Sequence, residues 1–420
     1  MEGWWPEWVE PLPDNNVVSV QGVGGDELIH RIFEIARVRF DFGYSGNSRV
    51  IQVENEDRRI DEWKFNTPDG AELSRLWVLN DVSSLRLFVA GVGDVGTDGG
   101  IPCWQACVNG AVEAMGKRSD VPWVAIVCES PQRMMVSAGQ QLSRAVKFGD
   151  LAFAPLTHGV AEQATMNMSP IGLHISEFFH WPITVRGSTA CFDWDTDGAP
   201  KAMERLRLIV ALLTLEWDSY WQLREGPRDP EITFADFRSP LMGNSWQPLS
   251  EGSPFSGAPI SIPRWILDAE RAAGNAVTLQ RALLMHHEGM GLRREHPSMA
   301  LVAFFAVIEA IAQITKKPTK CPECGSHTSS AERFRVAVSE VLPEQHAEVL
   351  HRAYGPKRSY TVHQARLHGT ESQFGGFGLV SLFVNDPGFE FDHSELAIAQ
   401  KASRLLLRRA LEKGVGRSLA

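Results

Sequence analysis

The segment Tyr354-Gly-Pro-Lys-Arg-Ser-Tyr-Thr-Val-His363 sets a cation and an imidazole five residues apart, Arg358 and His363. That pair has the chemistry that RNA cleavage needs. RNA brings its own nucleophile, the 2′-hydroxyl, so the protein needs neither a metal nor a covalent nucleophile. It needs a group that takes and gives a proton near neutral pH, which histidine does. It also needs a fixed positive charge for the phosphorane, and the planar fork of an arginine suits a phosphate. The expected product ends are a 2′,3′-cyclic phosphate and a 5′-hydroxyl. Spacing alone leaves a second reading open, an arginine in an ion pair and a histidine satisfied in a helix contact. Five helical residues turn about 500°, which leaves the two side chains roughly 140° apart. They converge if Gly355–Pro356 breaks the chain and Lys357–His368 restarts it. Arg358 then lies in a loose first turn, and both groups face a phosphate near a helix N-terminus.

Neighbouring residues extend the site. Ser359 adds a polar group beside the arginine, and Lys357 a second cation for substrate binding. Tyr354 and Tyr360 carry rings that either stack on a nucleotide or pack in the core. Upstream, Glu309 stands in a helix expected over Ser298–Thr315 whose other residues are almost all apolar, with Gln313 one turn on. A carboxylate there must be paired or lie along an exposed strip, since an unpaired buried charge is costly. One reading pairs it with Arg358 or another site group across the bundle; the other leaves it at a solvent-facing edge. His346, His351 and His368 flank the motif and read as surface or capping histidines.

These residues resemble a HEPN domain, specifically the Apea-type group associated with abortive infection. The resemblance rests on Tyr354 ahead of Arg358-Ser359, on His363 after four intervening residues, and on the upstream helix with Glu309. It covers about residues 265–420. The glycine that often follows the histidine closely stands later here, at Gly369. The resemblance implies an all-α bundle that forms a homodimer, with two Arg/His pairs across a shared cleft. It implies a toxin-like endoribonuclease acting on RNA, with tRNA as a candidate, in anti-phage defence. The part before the bundle would sense an unknown trigger or restrain the nuclease. The alternative is a non-catalytic HEPN-like module for dimerisation or RNA binding.

Catalysis of this kind needs no cofactor. A structural zinc is a separate question, raised by Cys321-Pro-Glu-Cys324-Gly with His327 just beyond. Two thiolates on such a turn can approach one ion, and His327 makes a third ligand. A fourth would come from a distant histidine, Cys128, Cys191 or a partner chain. A loop without metal is the competing reading, and redox use lacks the expected strand-to-helix context. Cys103 and Cys107, one turn apart, read as core residues. Gly91-Val-Gly-Asp-Val-Gly96 spells GxGxxG, but Thr97–Pro102 follows as a loop where a nucleotide-binding turn needs a helix.

The elements that must position these residues follow from composition and pattern. The 420-residue chain carries 41 basic and 51 acidic residues, a formal charge of −10. Residues 301–420 hold 15 basic and 12 acidic residues, so the acidity lies earlier and an anionic ligand suits the C-terminal part better. The acidic balance excludes broad, non-specific nucleic-acid binding by the whole chain. Six irregularly spaced cysteines in so long a chain exclude a secreted disulfide framework. No basic segment with an apolar run opens the sequence, and no apolar stretch reaches the roughly 20 residues that span a bilayer. The cytoplasm is the expected compartment, with no membrane partner.

The fold class expected is α+β, a mixed β-rich N-terminal region followed by an all-α bundle. Residues 1–200 form the α+β region. Strands are expected at Val17–Val20, Val38–Phe42, Arg49–Val53, Leu85–Val89, Trp123–Val127 and Ile183–Val185. Helices are expected at Glu27–Ile35, Trp104–Met115 and Ala138–Phe148. Residues 201–263 hold a long helix, Lys201–Gln222, and a Pro/Gly/Ser-rich linker. Residues 264–420 are helical, with Pro297 at a helix start and Gly414 closing the last helix.

Overall fold

The computed structural model describes residues 10–11, 17–19, 25–40, 43–53, 56–66, 72–80, 84–91, 101–129, 140–156, 158–163, 167–169, 172–174, 177–228, 245–248, 258–293, 296–316, 329–364 and 393–418. They form a mixed α+β protein, β-rich towards the N-terminus and helical towards the C-terminus. The chain divides into two compact units. The first is Met1–Asp120 with Ala190–Gly198, and the second is Val121–Thr189 with Ala199–Ala420.

The first unit is built on an antiparallel sheet of β1 (Glu10–Pro11), β2 (Val17–Ser19), β3 (Gly43–Val53), β4 (Glu56–Asn66), β5 (Glu72–Asn80) and β6 (Ser84–Gly91). Its order is β1-β6-β5-β4-β3, with β2 also on β6. Two helices, α1 (Gly25–Phe40) and α2 (Ile101–Ala114), pack on each other. Leu28, Ile32 and Ala36 are fully buried at the spacing of one helix face. That stripe carries α1 through Val38–Phe40, where β-branched and aromatic residues predict a strand. Val38 is left exposed on the far side of the helix. Burial of one face outweighs local β-propensity here.

In the same unit the carboxylate of Glu27, almost fully buried, accepts from Arg118 Nη1 (2.5 Å), Arg118 Nη2 (2.7 Å) and the Gly116 amide (3.0 Å). Burial pushes its pKa up, but the Arg118 fork, the Gly116 amide and Arg31 together hold it below the ordinary carboxylate value. The guanidinium groups of Arg118 and Arg31 lie 5.3 and 6.0 Å from the Phe192 ring centre. Beside it, Asp193 Oδ1 faces His30 Nε2 at 3.4 Å. These contacts fasten Ala190–Gly198 to α1.

The second unit begins with β7 (Ser119–Glu129), β8 (Gln140–Leu142), β9 (Val146–Phe148), β10 (Leu151–Pro155), β11 (His158–Gln163), β12 (Asn167–Ser169), β13 (Gly172–His174), β14 (Glu177–His180) and β15 (Ile183–Cys191). α3 (Ala199–Trp217) and β16 (Trp221–Arg228) follow. The main sheet has the order β16-β7-β15-β10-β9, and Trp123–Cys128 of β7 form an unbroken buried run. β17 (Ser245–Pro248) joins β11, and β18 (Ala258–Ile260) pairs in parallel with β8. The Pro/Gly/Ser-rich segment is thus tied into small sheets at two points.

Two expectations need correction here. Ala138–Phe148 holds β8 and β9 instead of a helix. The reason is Gly149, whose φ of +60° makes the Gly149–Asp150 turn that pairs Phe148 with Leu151. Lys201–Gln222 is a helix only to Trp217, because Asp218 takes a φ of +55° and redirects the chain into β16.

α4 (Trp265–Gly274), α5 (Val277–Leu292), α6 (Pro297–Thr315), α7 (Ser330–Ser339), α8 (Glu344–Gln364) and α9 (His393–Ser418) complete the unit. α6 is its centre, touching α5, α7, α8 and α9, while α3 packs on α4, α5 and β16. Among the described residues α6 alone is long and apolar enough to cross a membrane, and its apolar residues are largely buried among those four helices.

α8 overturns the expected break. Gly355–Pro356 lies inside a continuous helix. Pro356 removes one N–H, and the carbonyl it frees belongs to Arg352, on an exposed stretch where water can serve it. Gly355 has no Cβ for the proline ring to strike, which relieves part of the usual pre-proline bar to helix. Gly414 likewise does not close the last helix, which runs to Ser418.

Candidate functional site

The described part of the site lies where α6 meets α8. Pro297 starts α6, and its apolar residues hold it against four neighbours, so Glu309 is carried into the interior at 12% exposure. From α8, Tyr354 enters the same space. Its ring stacks on Phe334 of α7 at 4.0 Å and meets Phe305 edge-on at 5.7 Å. Its hydroxyl donates to Glu309 Oε1. Arg358 is one turn on from Tyr354 and shares its face. Its Nη2 lies 3.0 Å from Glu309 Oε2, and its guanidinium sits 5.8 Å from the Tyr354 ring centre.

Glu309 therefore receives Tyr354 on one oxygen and Arg358 on the other. Burial pushes its pKa up, Arg358 opposes, and the net value lies above that of an ordinary glutamate. Arg358 keeps 44% of its side chain exposed, so part of its donor fork faces solvent. Lys357, next to it, pairs through Nζ with Glu395 Oε2 in the first turn of α9. The sequence offered Lys357 as a substrate cation; it also ties α8 to α9.

His363 lies on α8 five residues beyond Arg358, as do Ser359 and Tyr360 in between. Their backbones are helical and their side chains lie outside the described residues. The helix start expected at Gly355–Pro356 is not found, because Arg358 and His363 both lie within one uninterrupted helix. Tyr354 is buried against Phe334 and Phe305, which leaves no open face on which a base could stack. His346 is exposed, and His351 Nε2 lies 3.3 Å from the Arg335 carbonyl.

Cys321, Cys324, His327 and His368 lie outside the described residues, as do Val92–Gly96 of the glycine-rich motif. Among the described residues no group of three or more His, Cys, Asp or Glu is placed to hold a metal ion. Cys128, one candidate fourth ligand, is buried with its Sγ accepting from Arg224 Nε at 3.0 Å, and Cys191 is buried as well.

Sequence reasoning passed over a polar network in the same unit. His286 and His287 of α5 reach Ser403 of α9 and Thr214 of α3. Arg404 of α9 donates to the carbonyls of Leu215 (2.7 Å) and Glu216, closing the C-terminal end of α3. The one signal was a pair of consecutive histidines directly after the apolar run Ala282–Met285. Compared with models of known families, with curated proteins and with solved structures, the chain matches none.

Proposed function

We propose that the helical part of this chain is a HEPN-like, metal-independent endoribonuclease, with Arg358 and His363 as its working pair. The observation that supports this most is the mounting of Arg358. Glu309 and the Tyr354 ring fix one side of its guanidinium, while the rest of the fork reaches solvent. A cation held in this way needs little reorganisation when charge grows on a phosphate beside it.

In the reaction the RNA 2′-hydroxyl attacks the adjacent phosphorus, and the bond from phosphorus to the 5′-oxygen breaks. His363 would exchange protons with the attacking or leaving oxygen, and Arg358 would neutralise the phosphorane. On one straight helix the two stand roughly 140° apart. A homodimer would resolve this, with Arg358 of one copy and His363 of another facing one phosphate across a shared cleft. The product ends would be a 2′,3′-cyclic phosphate and a 5′-hydroxyl. In the cell such an enzyme would act on RNA, with tRNA as a candidate, as a regulated toxin of anti-phage defence. Zinc at Cys321, Cys324 and His327 would serve the fold and not the cleavage step.

A second reading draws on the same contacts. Glu309 partly neutralises Arg358 and Glu395 neutralises Lys357, as expected of a module that dimerises or binds RNA without cutting it. Incubating the purified chain with RNA in EDTA separates the two. Cyclic-phosphate ends in the wild type, with a 10²–10⁴-fold loss in His363→Ala, are the expected result. Intact RNA beside a folded protein assigns the second reading.

A further inference from the structure

Two histidines stand side by side on α5, and the candidate site uses neither. Consecutive helical residues point about 100° apart, so their rings enter different interfaces. His286 is fully buried, with Nδ1 2.9 Å from Ser403 Oγ of α9 and its ring centre 5.4 Å from that of Phe304 on α6. The Ser403 hydroxyl donates its proton to the Gln400 carbonyl at 2.8 Å. It therefore accepts from His286, which sets that ring as the neutral tautomer with its proton on Nδ1. Nε2 is left as a buried lone pair with no hydrogen-bond partner. A second proton would have to enter there, beside an aromatic ring.

His287 faces the other way. Its Nδ1 lies 3.0 Å from Thr214 Oγ1, and its ring centre is 4.8 Å from that of Tyr220. Thr214 Oγ1 already accepts from the Trp221 amide at 3.0 Å. In the arrangement that uses every donor, it gives its own proton to His287. The surrounding charges disfavour a cation at His286. Burial comes first, then His287 and Arg404, and together they push His286 down to about 3. Arg404 lies 3.8 Å from Asp218 while capping α3. Burial pushes His287 down to about 4, and on its side Tyr220 is itself raised by burial and by Glu288.

We infer that His286 and His287 form an acid latch: neutral, they join α5 to α9 and to the end of α3, and protonation of either parts its interface before the remaining helices unfold. A released histidine takes up a proton near pH 6.5, whereas a latched one stays neutral down to about 4 or below. The latch is therefore fully stable above pH 6.5 and loses stability as pH falls towards 4.

Native-state hydrogen exchange of the full chain at pH 7 and pH 5, corrected for intrinsic rates, reads this directly. The opening equilibrium of amides in α5, which carries both histidines, is expected to rise about 20-fold for each histidine released over that interval. Amides in α7 and in residues 344–358 of α8 should not share this rise on acidification. His286→Gln with His287→Gln should remove the pH response. His287→Gln alone, at the less buried position, should halve it on a logarithmic scale. Equal protection at the two pH values in the wild type overturns the latch, as does a response that persists in the variants.

Discussion

Glu309 serves two donors at once, the Tyr354 hydroxyl and the Arg358 guanidinium. A carboxylate on an apolar helix had to be paired or lie along an exposed strip, and that choice could be read from α6 alone. Which partner it takes depends on how α6 and α8 pack, a long-range fact that no local pattern carries. The balance at this residue yields a prediction. Its folded pKa is raised above the ordinary 4.5, because burial outweighs Arg358. The folded chain thus holds this proton more tightly than the unfolded chain. The associated stability is present below the ordinary value and is lost as pH rises through the folded one. Glu309→Gln keeps an acceptor for Tyr354 and removes the buried charge. Relative to wild type, the variant should gain stability as pH is raised from 4.5 to 7.5, measured by urea unfolding. A difference that shrinks over that range would mean that Arg358 outweighs burial.

At the scale of elements, proline is the residue whose meaning depends most on what surrounds it. Pro297 starts α6 and Pro356 sits within α8, and both are followed by helical residues. Sequence alone told the first correctly and misread the second, because a glycine before a proline can mean either a break or relief from the pre-proline clash. Residues 138–148 failed for a similar reason, since one left-handed glycine at 149 decides between helix and hairpin. The α6 helix was legible almost to the residue, because a long apolar run with a clear start leaves little choice. If Pro356 is an interior proline, Pro356→Ala restores a helix hydrogen bond to the Arg352 carbonyl and should stabilise the helical part by roughly 1–3 kcal/mol. The rise in urea midpoint measures it. An unchanged or lowered midpoint would mean that Pro356 opens a helix.

For the whole molecule, the boundary between the units matters most. The β-rich and helical classes were readable from composition and periodicity, yet the contacts group the sheet around β7 with the helices that follow it. α3 belongs to that assembly through α4, α5 and the cap supplied by Arg404. A fragment begun at residue 264 loses α3 and leaves apolar faces of α4 and α5 uncovered. It should unfold at a lower urea concentration than a fragment begun at residue 121, both followed by circular dichroism. Equal midpoints would show that the bundle needs neither α3 nor the sheet.

The Ala190–Gly198 segment carries Phe192 and Asp193 to Arg31, Arg118 and His30 of the first unit, and about 70 residues of the second unit separate it from Asp120. Synthesis by the ribosome proceeds from the N-terminus at about 5–20 residues per second. The first unit must therefore wait roughly 4–14 s on the translating ribosome for its last piece. During that interval Arg118 and Arg31 lack the aromatic ring that will lie beside them. The order of manufacture thus obliges the first unit to finish folding only after much of the second unit's sheet has emerged.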